Sequence, residues 1–107
     1  LAWLLLIAAG IFEICWAVGL KLSNGFTIFK WSAFTVVTYI ISVVLLGFAL
    51  KSIPLGTGYA IWTGIGMAGT VIIGMIYFNE SKDLLKVIFI SMILIGIVGL
   101  KFITPEN

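Results

Sequence analysis

Four long apolar runs separated by short polar breaks organise the sequence. Residues 2–20 carry a single charge, Glu13, and the following segment, 21–30, supplies Lys21, Lys30 and an Asn24-Gly25 turn pair. Residues 31–50 are uncharged. The break Lys51-Ser-Ile-Pro54 then leads into 55–78, with the proline placed to suit the first turn of a helix. A polar stretch at 79–83 precedes the last run, 84–103, and Pro105 lies just beyond it. A helix rises about 1.5 Å per residue and needs roughly 20 apolar residues to cross the hydrocarbon of a bilayer. The pattern therefore predicts an all-α membrane protein. Its four transmembrane helices fall at about 2–20, 31–50, 55–78 and 84–103, in a single domain over 1–107.

Composition narrows the function. Of the 107 residues, 63% are hydrophobic and 9% charged, and mean hydropathy is +1.31. Soluble domains run nearer half apolar and a quarter charged. With six lysines, no arginine and a net charge of +2, the chain has no dense basic surface for nucleic acid. It has no histidine, and Cys15 is its one cysteine, which excludes disulfide frameworks, Cys/His metal sites and imidazole-based triads. No metal, cofactor or catalytic constellation is expected, so the chain reads as a non-enzyme. The first run starts without a positive region and contains a carboxylate, so it reads as a span rather than a removable signal.

Orientation follows the lysine balance near span ends. With both termini on one side, the first and third connections carry Lys21, Lys30, Lys82 and Lys86, against Lys51 and Lys101 on the other side. That is a weak instruction, compatible with insertion either way up.

The chemistry centres on Glu13. A bare charge at mid-span costs about 2.5–3.5 kcal/mol on insertion scales, so the carboxyl group is expected to hold a proton or a cation and to exchange one for the other. The plainer alternative is a permanently protonated Glu in a helix–helix hydrogen bond. Ala9, Gly10, Trp16 and Ala17 share its helical face. The small residues admit close approach, and the Trp16 indole offers an N–H and a cation-binding face. Trp3 and Trp31, at span ends, read as interface anchors. In the third run Tyr59 and Trp62 lie on one face, with Gly58, Gly66 and Gly69 near them; an aromatic pair at this spacing also suits a plain core. Ser42 is the deep hydroxyl of the second run, unless it only bonds back to its own helix. Gly64-Ile-Gly66-Met-Ala-Gly69 matches a dinucleotide fingerprint by letters alone, without the strand or βαβ unit that the fingerprint needs. It reads as a site of close packing or bending in a spanning helix.

Phe12-Glu-Ile-Cys-Trp-Ala17, Lys21-Leu-Ser-Asn-Gly-Phe26 and Ile53-Pro-Leu-Gly-Thr-Gly-Tyr-Ala-Ile-Trp-Thr-Gly-Ile-Gly66 together resemble the small multidrug resistance transporters, over essentially the whole chain. The resemblance implies four-helix subunits that pair as an antiparallel homodimer in a bacterial inner membrane and exchange protons for small organic cations. Trp16 after the Glu motif, together with Lys101, is similar to the branch that exports guanidinium. Carried over, the resemblance has Glu13 binding proton or substrate. It has Ser42, Trp16 and Trp62 orienting Glu13 by hydrogen bonds, Tyr59 contributing from the other subunit, and Gly10 leaving room beside the carboxylate. Two alternatives remain at this level: a promiscuous exporter of quaternary ammonium and other lipophilic cations, and one subunit of a hetero-pair.

Overall fold

The computed structural model describes residues 1–104 and contains four helices: α1 Ala2–Leu22, α2 Phe29–Ala49, α3 Leu55–Tyr77 and α4 Leu84–Ile103. All four are long and apolar enough to cross a membrane. Hydrocarbon offers no partner to a backbone N–H or C=O, so an apolar run of this length satisfies its own groups by coiling into a helix. Pro105 lies outside the described residues.

Local chemistry sets the helix ends, and these fall within two residues of the apolar-run boundaries, those of α4 coinciding with them. α1 runs past Lys21 to Leu22, because Ser23 and not the lysine stops it. The Ser23 N–H still donates to Gly19 O, at 2.8 Å. Its hydroxyl donates to Leu20 O at 2.7 Å and accepts from the Phe26 N–H at 3.0 Å. Asn24, Gly25 and Phe26 then all take positive φ and turn the chain back. α2 starts at Phe29, two residues before Trp31, after an extended Ile28, and ends at Ala49. Pro54 precedes the first residue of α3 as its N-cap. α3 ends at Tyr77, and the positive φ of Asn79 follows. Asp83 caps α4 by accepting from the Leu85 N–H at 3.2 Å.

α1 packs against both α2 and α3, which scarcely touch each other, and α4 packs on α3. Glycines form the seams. A Cβ on Gly10 would lie 2.7–2.8 Å from Ile65 Cγ2 and Cβ. Gly69 receives Ile14, and Gly64 receives Ile97 and Ile93 of α4. Such notches let helices approach where lipid supplies no hydrophobic drive for association. The buried core, Ala2, Leu6, Ala9, Leu46, Ala49, Ile53 and Ile61, gathers at the end where the α2–α3 connection lies. α4 is left almost bare: 6% of its apolar window is buried, against 39% for α3.

Candidate functional site

Glu13 sits near the midpoint of α1, half-buried, with its carboxyl group against α3 at Gly66. A side chain on Gly66 would occupy the space of the carboxylate carbon and both its oxygens. A cleft of about 390 Å³ opens beside the pair, lined by Glu13, Ala17, Gly66, Met67, Thr70, Val71 and Ile93. Its polar groups are few and its walls come from α1, α3 and α4, so it exposes one carboxylate in apolar surroundings. The Oε1 of Glu13 is buried and accepts no hydrogen bond within the described residues. No lysine neutralises it: Lys86 pairs with Glu80 at 3.4 Å, and Lys101 Nζ lies 5.3 Å from the centre of the Trp3 ring, far down α1 from Glu13.

Ser42 and Trp62 come together one turn away. The Trp62 Nε1–H donates to Ser42 Oγ at 2.9 Å, and the Ser42 hydroxyl donates to Ala9 O at 2.7 Å. Ser42 therefore does not bond back to its own helix, as Thr35 and Thr38 do. It ties α3 through α2 to the carbonyl that, in an α-helix, accepts the Glu13 N–H. The relay is fully buried at Ser42. Within one chain, neither Ser42 nor Trp62 bonds the Glu13 side chain; they fix the helices around it.

Trp16 stands on the α2 side, edge to face with Tyr39 at 5.3 Å between ring centres. Its Nε1–H is buried and donates to nothing among the described residues. Tyr59 leans on Trp62 with ring centres 5.5 Å apart and remains 55% exposed. Gly10 meets Ile65, which places it in the α1–α3 seam. Two residues outside the expected set belong to this region. Gly66 faces the carboxylate directly, and its only sequence signal was membership of a glycine cluster. Thr63, next to Trp62, has a buried hydroxyl with no partner among the described residues; a lone threonine in a span gives no signal.

A buried, unpaired carboxylate beside a cleft can hold a proton or attract a compact cation. The family model described as Small Multidrug Resistance protein matches residues 1–93. A protein of Yersinia pestis named guanidinium exporter is 48% identical over 101 residues, covering 94% of this chain and 97% of that one. Guanidinium exporters of Proteus vulgaris, at 48% over the same shares, and of Escherichia coli K12, at 43% over 97% of this chain and 99% of that one, are similar in the same way.

Proposed function

The chain belongs to the small multidrug resistance family, and on that premise we propose that it exports guanidinium in exchange for protons. It is a multi-pass protein of the bacterial inner membrane. Its relatives are named as exporters, and the reading is accordingly a transporter and not an enzyme. One observation carries the substrate assignment: Glu13 offers a buried acceptor oxygen that nothing among the described residues occupies. Guanidinium is planar, with N–H donors along its edges, and meets carboxylate oxygens two at a time. A quaternary ammonium has no N–H and depends on aromatic faces and apolar volume.

Coupling is competition. A protonated Glu13 no longer attracts the cation, so proton entry on one side drives release there. We place two copies in an antiparallel homodimer, each contributing a Glu13 to one central site. The weak lysine bias permits opposite insertions, and a chain of this size obtains its inverted repeat from a second copy. The exposed Tyr59 and the nearly bare α4 are surfaces that such a partner would cover.

The test is proton-coupled current from purified protein on a solid-supported membrane, comparing guanidinium with tetrapropylammonium, with Glu13→Gln as the blank. Guanidinium current that is absent in Glu13→Gln supports the reading. Current with tetrapropylammonium alone moves the chain to a multidrug role. Silence with both, restored by a co-expressed relative, makes it one half of a hetero-pair.

A further inference from the structure

Every buried hydroxyl in the spans but one is spoken for. Thr35 and Thr38 donate to the carbonyls of Trp31 and Phe34, each at 2.7 Å, and Ser42 donates to Ala9 O. Even the exposed Ser32 and Ser91 bond back to the residue four positions earlier. Thr63 does not: its Oγ1 is buried and has no partner among the described residues. The same condition is shared by two other side-chain atoms of those residues, Glu13 Oε1 and Trp16 Nε1, both already in the candidate site. An unpartnered polar group in a membrane interior is costly, because neither water nor lipid can satisfy it.

Its position is specific. Thr63 precedes Gly66 by three residues and Thr70 by seven, so all three share one face of α3. That face carries Gly66 against the Glu13 carboxylate and Thr70 in the wall of the cleft. Thr63 thus lies about one turn along α3 from the carboxylate, on the cleft side.

A guanidinium ion needs acceptors on several edges, and within one chain few groups near Glu13 can supply them. The ion carries N–H groups on every nitrogen and can satisfy those along only one edge at a carboxylate. The indole nitrogens of Trp16 and Trp62 are donors and cannot accept from it. Ser42 Oγ already accepts from Trp62. Thr63 Oγ1 keeps both lone pairs free. Resting on the guanidinium reading above, we infer that Thr63 is a further ligand of the cation: its hydroxyl oxygen accepts an N–H from a second edge of the guanidinium held at Glu13. Specificity for an ion with donors on several edges then comes from acceptors on two helices.

The test measures binding to the purified protein by calorimetry, using guanidinium and N,N,N′,N′,N″-pentamethylguanidinium. The second ion keeps the charge, but its single N–H is taken by the carboxylate and leaves no donor for a second acceptor. Thr63→Val, which preserves shape and removes the oxygen, is expected to weaken guanidinium by about tenfold and pentamethylguanidinium by no more than about twofold, the scale of one hydrogen bond to a charged group. Thr63→Ser is expected to restore the preference; should Thr63→Val fail to fold, Thr63→Ala against Thr63→Ser makes the same comparison. Equal losses for both ions, or an undiminished preference in Thr63→Val, overturn the assignment of Thr63 and leave the guanidinium reading standing. A wild-type protein that binds tetrapropylammonium but not guanidinium overturns that reading, and this inference with it.

Discussion

The carboxyl group of Glu13 occupies the volume that a side chain at Gly66 would fill. α1 and α3 meet there closely enough for a carboxylate to lie on bare backbone, and Ile14 on Gly69 and Ile65 on Gly10 set the same spacing on either side. The glycine is required by the neighbour it accommodates and not by its own backbone, which is ordinary α-helix. Gly66→Ala is therefore expected to strengthen α3 as an isolated helix, by about 1 kcal/mol, while displacing the carboxylate from the cleft. The expected outcome is a loss of guanidinium-driven current of at least about tenfold, equivalent to about 1.4 kcal/mol, in protein whose size-exclusion profile is unchanged. Wild-type current in Gly66→Ala would show that the carboxylate does not work from this position.

The spans were legible because bilayer thickness fixes how long an apolar run must be, and Glu13 was legible because a charge in such a run is costly. What surrounds Glu13 was not. Helical spacing says which residues of one helix share a face, but the rotation of one helix against another comes from packing. Ser42 could have bonded within α2 or across to α1, and only the assembled helices decide for Ala9 O. Gly64, Gly66 and Gly69 could have marked a bend; instead each receives a side chain from a neighbouring helix, and α3 stays continuous. Hydropathy likewise cannot separate α4, bare within the chain, from α2, which packs on α1.

The Trp62–Ser42–Ala9 relay makes a prediction about stability that differs from one about binding. Ser42→Ala leaves the Trp62 Nε1–H half-buried without its acceptor, and stranding a donor costs about 1–3 kcal/mol. Trp62→Phe removes that donor but leaves Ser42 free to donate to Ala9 O. In the double variant the stranded group is gone, so its loss is expected to fall short of the sum of the single losses by about 1 kcal/mol or more. Thermal unfolding in detergent, followed by circular dichroism across the four proteins, measures this coupling. Additive losses would mean that the hydrogen bond contributes nothing.

Competition at Glu13 fixes the sign of the pH dependence. A proton must leave the carboxylate before guanidinium binds, so binding releases protons and strengthens as pH rises. Where Glu13 is mostly protonated, the dissociation constant is expected to increase about tenfold for each pH unit of acidification, the linkage slope for one displaced proton. Where it is mostly ionised, the slope flattens. Calorimetry at several pH values in buffers of different ionisation enthalpy reads both the slope and the released proton. A dissociation constant independent of pH throughout would remove the exchange mechanism, even if Glu13→Gln abolished binding.

Opposite insertion of two copies predicts how the connection between α3 and α4 meets the two sides of the membrane. That connection is exposed at Ser81 and bears Lys82, with Lys86 following it. Lys21, Lys30, Lys82 and Lys86 outnumber Lys51 and Lys101 by only two, and each lysine near a span end biases orientation. In a Cys15→Ser background, Ser81→Cys is expected to react with a membrane-impermeant maleimide from outside intact cells in roughly half of the copies, the remainder reacting only after permeabilisation. Adding lysines at Asn24 and Asn79, on the side already richer in them, is expected to drive insertion toward one orientation. Activity then falls as the second orientation disappears, and a co-expressed copy with lysines added at Ser52 and Thr57 is expected to restore it. Labelling of all copies from one side in the unaltered lysine background would rule out the antiparallel homodimer and leave a hetero-pair or a parallel assembly.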